Sequence, residues 1–176
     1  MSIEIIANGN IFGSPAQTLV NTVNCVGIMG KGLALEFRKR NPAMFEQYAK
    51  LCQYGLFEPG KLWLYKTSEK WILNFPTKMD WRLPTKEIYI KKGLEKFLFQ
   101  YKQRGITSIA FQMLGGRNGQ LDPRTSLMIM EEYLIHCDIQ VYIYCNELDH
   151  YEHQMEQIRN VQPSISLKSD LKPGVI

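Results

Sequence analysis

Two short glycine-rich segments carry the residue types best suited to chemistry: "GIMGKG" at 27–32 and "GGRNG" at 115–119. Each follows an apolar run and precedes a helical pattern, so each falls where a strand hands over to a helix. Helix N-termini present unpaired N–H groups and a partial positive charge, and glycines let the backbone approach a ligand with no Cβ in the way. Two such loops suit two phosphates of one ligand. No acidic residue follows the first loop until Glu36, so nothing there repels an anion. Asn21 and Asn24 sit at the end of the otherwise apolar run "TLVNTV". An uncharged side chain offering both donor and acceptor can hold a sugar hydroxyl there, and strand-end capping explains it equally.

Familiar phosphate motifs do not fit. A P-loop needs GxxxxGK followed by Ser or Thr, whereas Gly27 and Gly30 are too close and Gly32 follows Lys31. Without that hydroxyl there is no Mg²⁺ ligand, which disfavours nucleotide hydrolysis. The dinucleotide pattern GxGxxG is missing too, with no acidic residue at the expected distance. Cys25, Cys52, Cys137 and Cys145 form no CxxC pair, and His136, His150 and His153 show no zinc-like spacing with them. Reduced, mostly buried thiols are expected, with no metal site and no cofactor. Cys25 adjoins the first loop, but His136 falls at a helix end, where capping accounts for it more simply than a nucleophilic pair.

The elements that must position these loops alternate. Strands are expected at 3–7, 18–23, 61–65, 70–75, 108–114 and 139–145, with helices at 32–41, 43–55, 85–105 and 124–137. Gly55 and Gly105 supply helix C-terminal caps, and Asp122-Pro123 opens the last helix. In the third helix Ile88, Ile90, Leu94, Phe97 and Leu98 are the expected apolar stripe. Such an order predicts an α/β fold: a three-layer α/β/α sandwich with a mixed central sheet and helices on both faces.

With 176 residues, 45% hydrophobic and 22% charged, the chain is expected to form one domain over 1–160 with a peripheral tail at 161–176. The net charge of +4 tolerates a polyanionic partner without requiring one. No stretch approaches the roughly 18 uninterrupted apolar residues of a membrane span, and the polar start has no signal-peptide form. A cytoplasmic monomer with no membrane association is expected.

The segments "GNIFGSPAQTLVNTVNCVGIMGKGLALEF", "ILNFPTKMDW" and "FQMLGGRNGQLD" resemble the macrodomain family of ADP-ribose-binding modules. Within it they are most similar to the DarG branch, antitoxins that remove ADP-ribose from DNA bases. The resemblance implies that Asn10 and Ile11 lie at the adenine end, with Asn10 where macrodomains usually have Asp. It implies that Thr22, Val23 and Asn24 line the distal ribose, and Asn21 beside them is expected among the ADP-ribose-binding residues. Gly30, Lys31, Gly32, Leu33 and Ala34 would form the first phosphate loop, and Gly115, Gly116, Arg117, Asn118 and Gly119 the second. Thr77 and Lys78 match the position of the branch's catalytic lysine. Lysine suits attack at an anomeric carbon when its pKa is lowered, since only the neutral amine is nucleophilic. Gly119 stands where terminal ADP-ribose glycohydrolases place an acid, with Asp122 three residues on. Arg117 would either clamp the diphosphate or obstruct the cleft. Trp81 and Arg82 follow the lysine, where they would stack on a base and pair with a phosphate, or pack under the loop.

The implied function is an ADP-ribosyl glycohydrolase acting on ADP-ribosylated DNA, with thymine as the modified base. It would reverse a DarT-type toxin, and that cognate ADP-ribosyltransferase is the implied partner. Two alternatives stand beside it: a non-catalytic ADP-ribose-binding module, and a hydrolase of small derivatives such as the 1″-phosphate or the O-acetyl ester.

Overall fold

The computed structural model describes residues 2–146, so the domain boundary expected at 160 and the tail expected beyond it lie outside the described residues. The strands are β1 (Ile3–Ile6), β2 (Thr18–Val23), β3 (Trp63–Tyr65), β4 (Trp71–Pro76), β5 (Ser108–Gln112) and β6 (Gln140–Tyr144). The helices are α1 (Gly32–Arg40), α2 (Pro42–Gln53), α3 (Glu87–Arg104) and α4 (Pro123–Leu134). One mixed sheet runs in the order β1-β6-β5-β2-β4-β3. Every neighbouring pair is parallel except β3, which lies antiparallel on β4 at the edge.

Alternation along each inner strand feeds two separate cores. Val20, Leu73, Phe75, Ile109, Phe111, Val141 and Ile143 pack with α3 and α4, while Leu19, Val23, Ile72, Ala110 and Tyr144 pack with α1 and α2. Both faces of the sheet are therefore covered, which is why these strands read as nearly continuous apolar runs. The expected three-layer α/β/α sandwich is the observed fold.

Local chemistry sets the helix limits. Asn41 is at once the C-cap of α1 and the N-cap of α2, because Pro42 has no N–H to extend the first ladder yet is well placed to start the second. Gly105, at φ 79°, takes the left-handed conformation that closes α3. The apolar stripe of α3 differs from expectation at one residue. Ile90, Leu94, Phe97 and Tyr101 are buried, Leu98 is partly buried, and Ile88 is half exposed. Two residues are about 200° of helical rotation, which carries Ile88 to the solvent side.

Gly93 governs how closely α3 lies on β4. A Cβ there would stand 2.2 Å from Cζ of Phe75, a ring itself held edge-on against Phe111 at 6.5 Å. The absence of that Cβ lets the helix settle on the strand that leads into the 77–82 loop. Gly93→Ala is expected to cost roughly 1–3 kcal/mol of stability in urea unfolding, since the ring has no room to retreat. Unchanged stability would contradict this close approach.

Candidate active site

β2 and β4 stay in parallel register from Thr18 opposite Trp71 to Val23 opposite Pro76. Their ladder continues past both strand ends. The Thr77 N–H donates to Val23 O at 3.0 Å, and the Cys25 N–H donates to Met79 O at 3.2 Å. Asn24 and Lys78 therefore leave the sheet side by side. Next to them β5 ends at Gln112 and delivers the second glycine loop, so three strand ends open on one cleft of about 660 Å³. That is a typical volume for a nucleotide-sized ligand.

The cleft is lined by Thr22, Val23, Asn24, Gly30, Lys31, Gly32, Leu33 and Ala34 on one side. Thr77, Lys78, Trp81 and Arg82, with Gly115, Gly116, Arg117, Asn118 and Gly119, complete its wall. The two glycine loops meet: a Cβ on Gly32 would stand 3.2 Å from Nδ2 of Asn118. Behind the first loop α1 has no side-chain cap and no acid in its first turn, so its N-terminal dipole faces the cleft uncompensated. Among the described residues lining the cleft there is no carboxylate, while Lys31, Lys78, Arg82 and Arg117 are basic. The field thus suits a polyphosphate.

The Asn24 side chain chiefly organises its own loop. Its Oδ1 accepts from the N–H groups of Val26 and Ile28 at 3.1 and 3.3 Å, and its Nδ2 donates to Ile28 O at 2.7 Å. The buried Tyr48 hydroxyl bonds to the backbone and side-chain oxygens of Asn24 at 2.7 and 2.9 Å. One amide N–H is left over to meet a ligand.

Lys78 bridges the two sides of the cleft. Its ammonium donates to Asn118 O and, at 3.5 Å, to Trp81 O. Burial pushes its pKa below the ordinary lysine value. Gly119 lies beside it, with the position a Cβ would take 4.0 Å from Lys78 Cε. That same position is 2.5 Å from Oγ1 of Thr85, a buried residue whose N–H donates to Gly119 O at 2.9 Å. A side chain at 119 requires Thr85 to shift, so Thr85 disfavours an acid there. Asp122 does not replace it, since Oδ2 caps α4 by accepting from Thr125 N–H at 2.9 Å.

Trp81 is half exposed rather than packed beneath the loop. Arg82 forms a two-pronged pair with Asp80, at 2.9 Å from Nε and 2.5 Å from Nη2. Its guanidinium holds the Asp80 carboxyl down at about 2 and is not an unpaired phosphate ligand. Three residues expected in the site are placed elsewhere. Asn21 is not at the strand end but on the face of β2 shared with Leu19 and Val23. It is 0% exposed there and donates to Asn74 Oδ1 at 3.0 Å. Asn10 caps a short 3₁₀ turn, its Oδ1 accepting from Phe12 N–H at 3.0 Å, and Ile11 is buried in the α1/α2 core. Neither lines the cleft.

Cys25 is buried, and its thiol is pushed up to about 12 chiefly by that burial, which removes it as a nucleophile. No group of metal-ligating side chains occurs among the described residues. No helix among them is long and apolar enough to cross a membrane. Ile28, Gln112, Met113 and Gln120 also line the cleft and escaped sequence reasoning. Gln112 and Met113 were signalled only by lying at the end of a buried-type strand, and Tyr48 and Thr85 by nothing local.

The Macro domain family profile matches residues 20–130. The chain is 44% identical over 119 residues to the DNA ADP-ribosyl glycohydrolase of Mycobacterium tuberculosis, covering 65% of this chain and 34% of the relative. It is 36% identical over 141 residues to the protein of that name from Thermus aquaticus, covering 77% of this chain and 39% of the relative. The chain thus spans less than half the length of these curated relatives. In structure it resembles the macrodomain of Mycobacterium tuberculosis DarG, with a TM-score of 0.78 and 38% identity over 82% of this chain and 97% of that one. It also resembles Thermosipho africanus DarTG in complex with ADP-ribose, with a TM-score of 0.77 and 33% identity over 81% of this chain and 41% of that one.

The steric conflict at 119 is testable by a mutant cycle. Gly119→Ala is expected to lose roughly 1–3 kcal/mol, and Thr85→Ala to restore most of that loss in the double mutant, because their costs share one space. Additive costs in urea unfolding would contradict it.

Proposed function

Because the chain belongs to the Macro domain family, we propose that its cleft binds ADP-ribose and that the protein is a hydrolase releasing ADP-ribose from modified DNA bases, thymine foremost. The observation that carries this reading is the position of Lys78. It stands at the end of an acid-free basic cleft flanked by two convergent glycine loops.

In the proposed complex the diphosphate lies between the N–H groups of the first loop with the α1 N-terminus and those of the second loop. The distal ribose then reaches Lys78. The neutral Lys78 amine attacks C1″; the Nζ–C1″ bond forms as the bond to the base breaks, and the base leaves with that electron pair and takes up a proton. Water subsequently restores free ADP-ribose and the amine. A Schiff base through the opened sugar is an equivalent covalent course. Trp81, exposed at the rim, offers a stacking face to the departing or neighbouring base.

The Thermosipho africanus relative is named a DNA ADP-ribosyl transferase-DNA ADP-ribosyl glycohydrolase fusion protein. By analogy, an ADP-ribosyltransferase toxin is the proposed source of this protein's substrate. A second reading, a binding module without turnover, is favoured by the lack of room for an acid at Gly119.

The deciding assay incubates a thymine-ADP-ribosylated oligonucleotide with wild type and with Lys78→Ala. Wild type should release ADP-ribose, and the variant should do so on the order of a thousandfold more slowly while still binding ADP-ribose in calorimetry. Binding without release by wild type selects the module; equal turnover by Lys78→Ala overturns the role of the lysine. The pH profile follows from the lowered pKa. The ammonium cannot attack, so kcat should rise with pH through a midpoint below the ordinary lysine range and then level. A flat profile in Lys78→Ala would accompany it, whereas a wild-type rate falling with pH in that window contradicts a neutral nucleophile.

A further inference from the structure

Resting on the glycohydrolase reading above, we propose that Gln120 is a specificity-determining residue that reads the edge of the base carrying ADP-ribose. Gln120 is exposed in the cleft and directly follows Gly119, the residue beside the end of the Lys78 side chain. It therefore stands at the reacting end, where the base must sit. The second loop has few other side chains for that task. Thr85 disfavours one at position 119, and the Asn118 amide lies against Gly32 at the phosphate end.

The backbone supports the assignment. Gln120 adopts φ 60°, ψ 15°, a left-handed conformation that glutamine takes rarely. Glycine, which takes it freely, occupies the neighbouring positions 116 and 119 instead, and neither of those has a positive φ. A strained residue persists where the surroundings or the function hold it, and such residues gather at active sites. Here the strain keeps a long carboxamide at the cleft wall. That carboxamide hydrogen-bonds to no described residue. Its Nε2 donates, and a donor suits the carbonyl oxygens that flank the ring nitrogen of thymine carrying the ADP-ribose. With Trp81 presenting a ring face at the rim, the base would be stacked on one group and read by the other.

The experiment uses single-stranded oligonucleotides carrying ADP-ribose on thymine or on guanine. Wild type, Gln120→Gly and Gln120→Asn are compared for kcat/KM on each, for ADP-ribose affinity by calorimetry and for melting temperature. Gly relaxes the backbone, and Asn tolerates the left-handed conformation while withdrawing the amide by one methylene, so both variants should fold. The expected result is a loss of about ten- to a hundredfold in kcat/KM on the preferred base, with a narrowed thymine-to-guanine ratio. ADP-ribose affinity should stay within about twofold and the melting temperature at or near wild type. Retention of both rate and base ratio by either variant overturns the inference. So does a fall in ADP-ribose affinity that matches the fall in rate, since Gln120 would then serve the nucleotide rather than the base. An active wild type with unaffected variants refutes this inference alone; an inactive wild type refutes the glycohydrolase reading together with it.

Discussion

The parallel ladder between β2 and β4 is the constraint from which the site follows. Six residue pairs fix the two strands, and the bonds from Thr77 to Val23 and from Cys25 to Met79 extend the pairing beyond them. Parallel strands end on the same side of a sheet, so the peptide that turns into the first glycine loop and the peptide that carries Lys78 cannot separate. β5, hydrogen-bonded to β2 on its other side, then brings the second glycine loop to the same rim. The site is thus assembled by backbone hydrogen bonds, and its side chains need only suit the place they are brought to. Gly93 extends this logic one layer further, because its missing Cβ lets α3 hold β4 from behind.

Electrostatics and sterics divide the cleft into two ends. At one end α1 begins without an acid or a cap, and glycine peptides face an open space suited to anions. At the other, Thr85 fills the room that a side chain at Gly119 would need, and Lys78 is held by carbonyl oxygens where an ion-pair partner would otherwise stand. Those carbonyls favour the ammonium and burial opposes it, and burial prevails in lowering the pKa. A ligand that displaced Asn118 O from the lysine would remove the first influence and leave the second.

The fold was legible because its signals are periodic or local: buried strands as apolar runs, helices as amphipathic stretches closed by glycine or proline. The loops of the site were legible for the same reason, since glycine clusters at strand-to-helix junctions have few other uses. What was not legible depends on which face a side chain takes. Asn21 lies in a strand buried on both sides, where alternation leaves no contrast between core and cleft, and it turned out to pair with Asn74 in the interior. Asn10 and Ile11 were placed by resemblance, and the cap and core contacts that hold them are tertiary facts. Gln120 and Thr85 gave no signal, because one matters through its backbone angle and the other through the space it occupies.

The central claim is that these strand ends form one ADP-ribose cradle with Lys78 at the ribose. A crystal structure of the protein with ADP-ribose tests it most directly. The diphosphate is expected between the loops at 30–34 and 115–119, and C1″ within about 3–4 Å of Lys78 Nζ. ADP-ribose seated outside this cleft, or bound in it with the distal ribose turned away from Lys78, would contradict it.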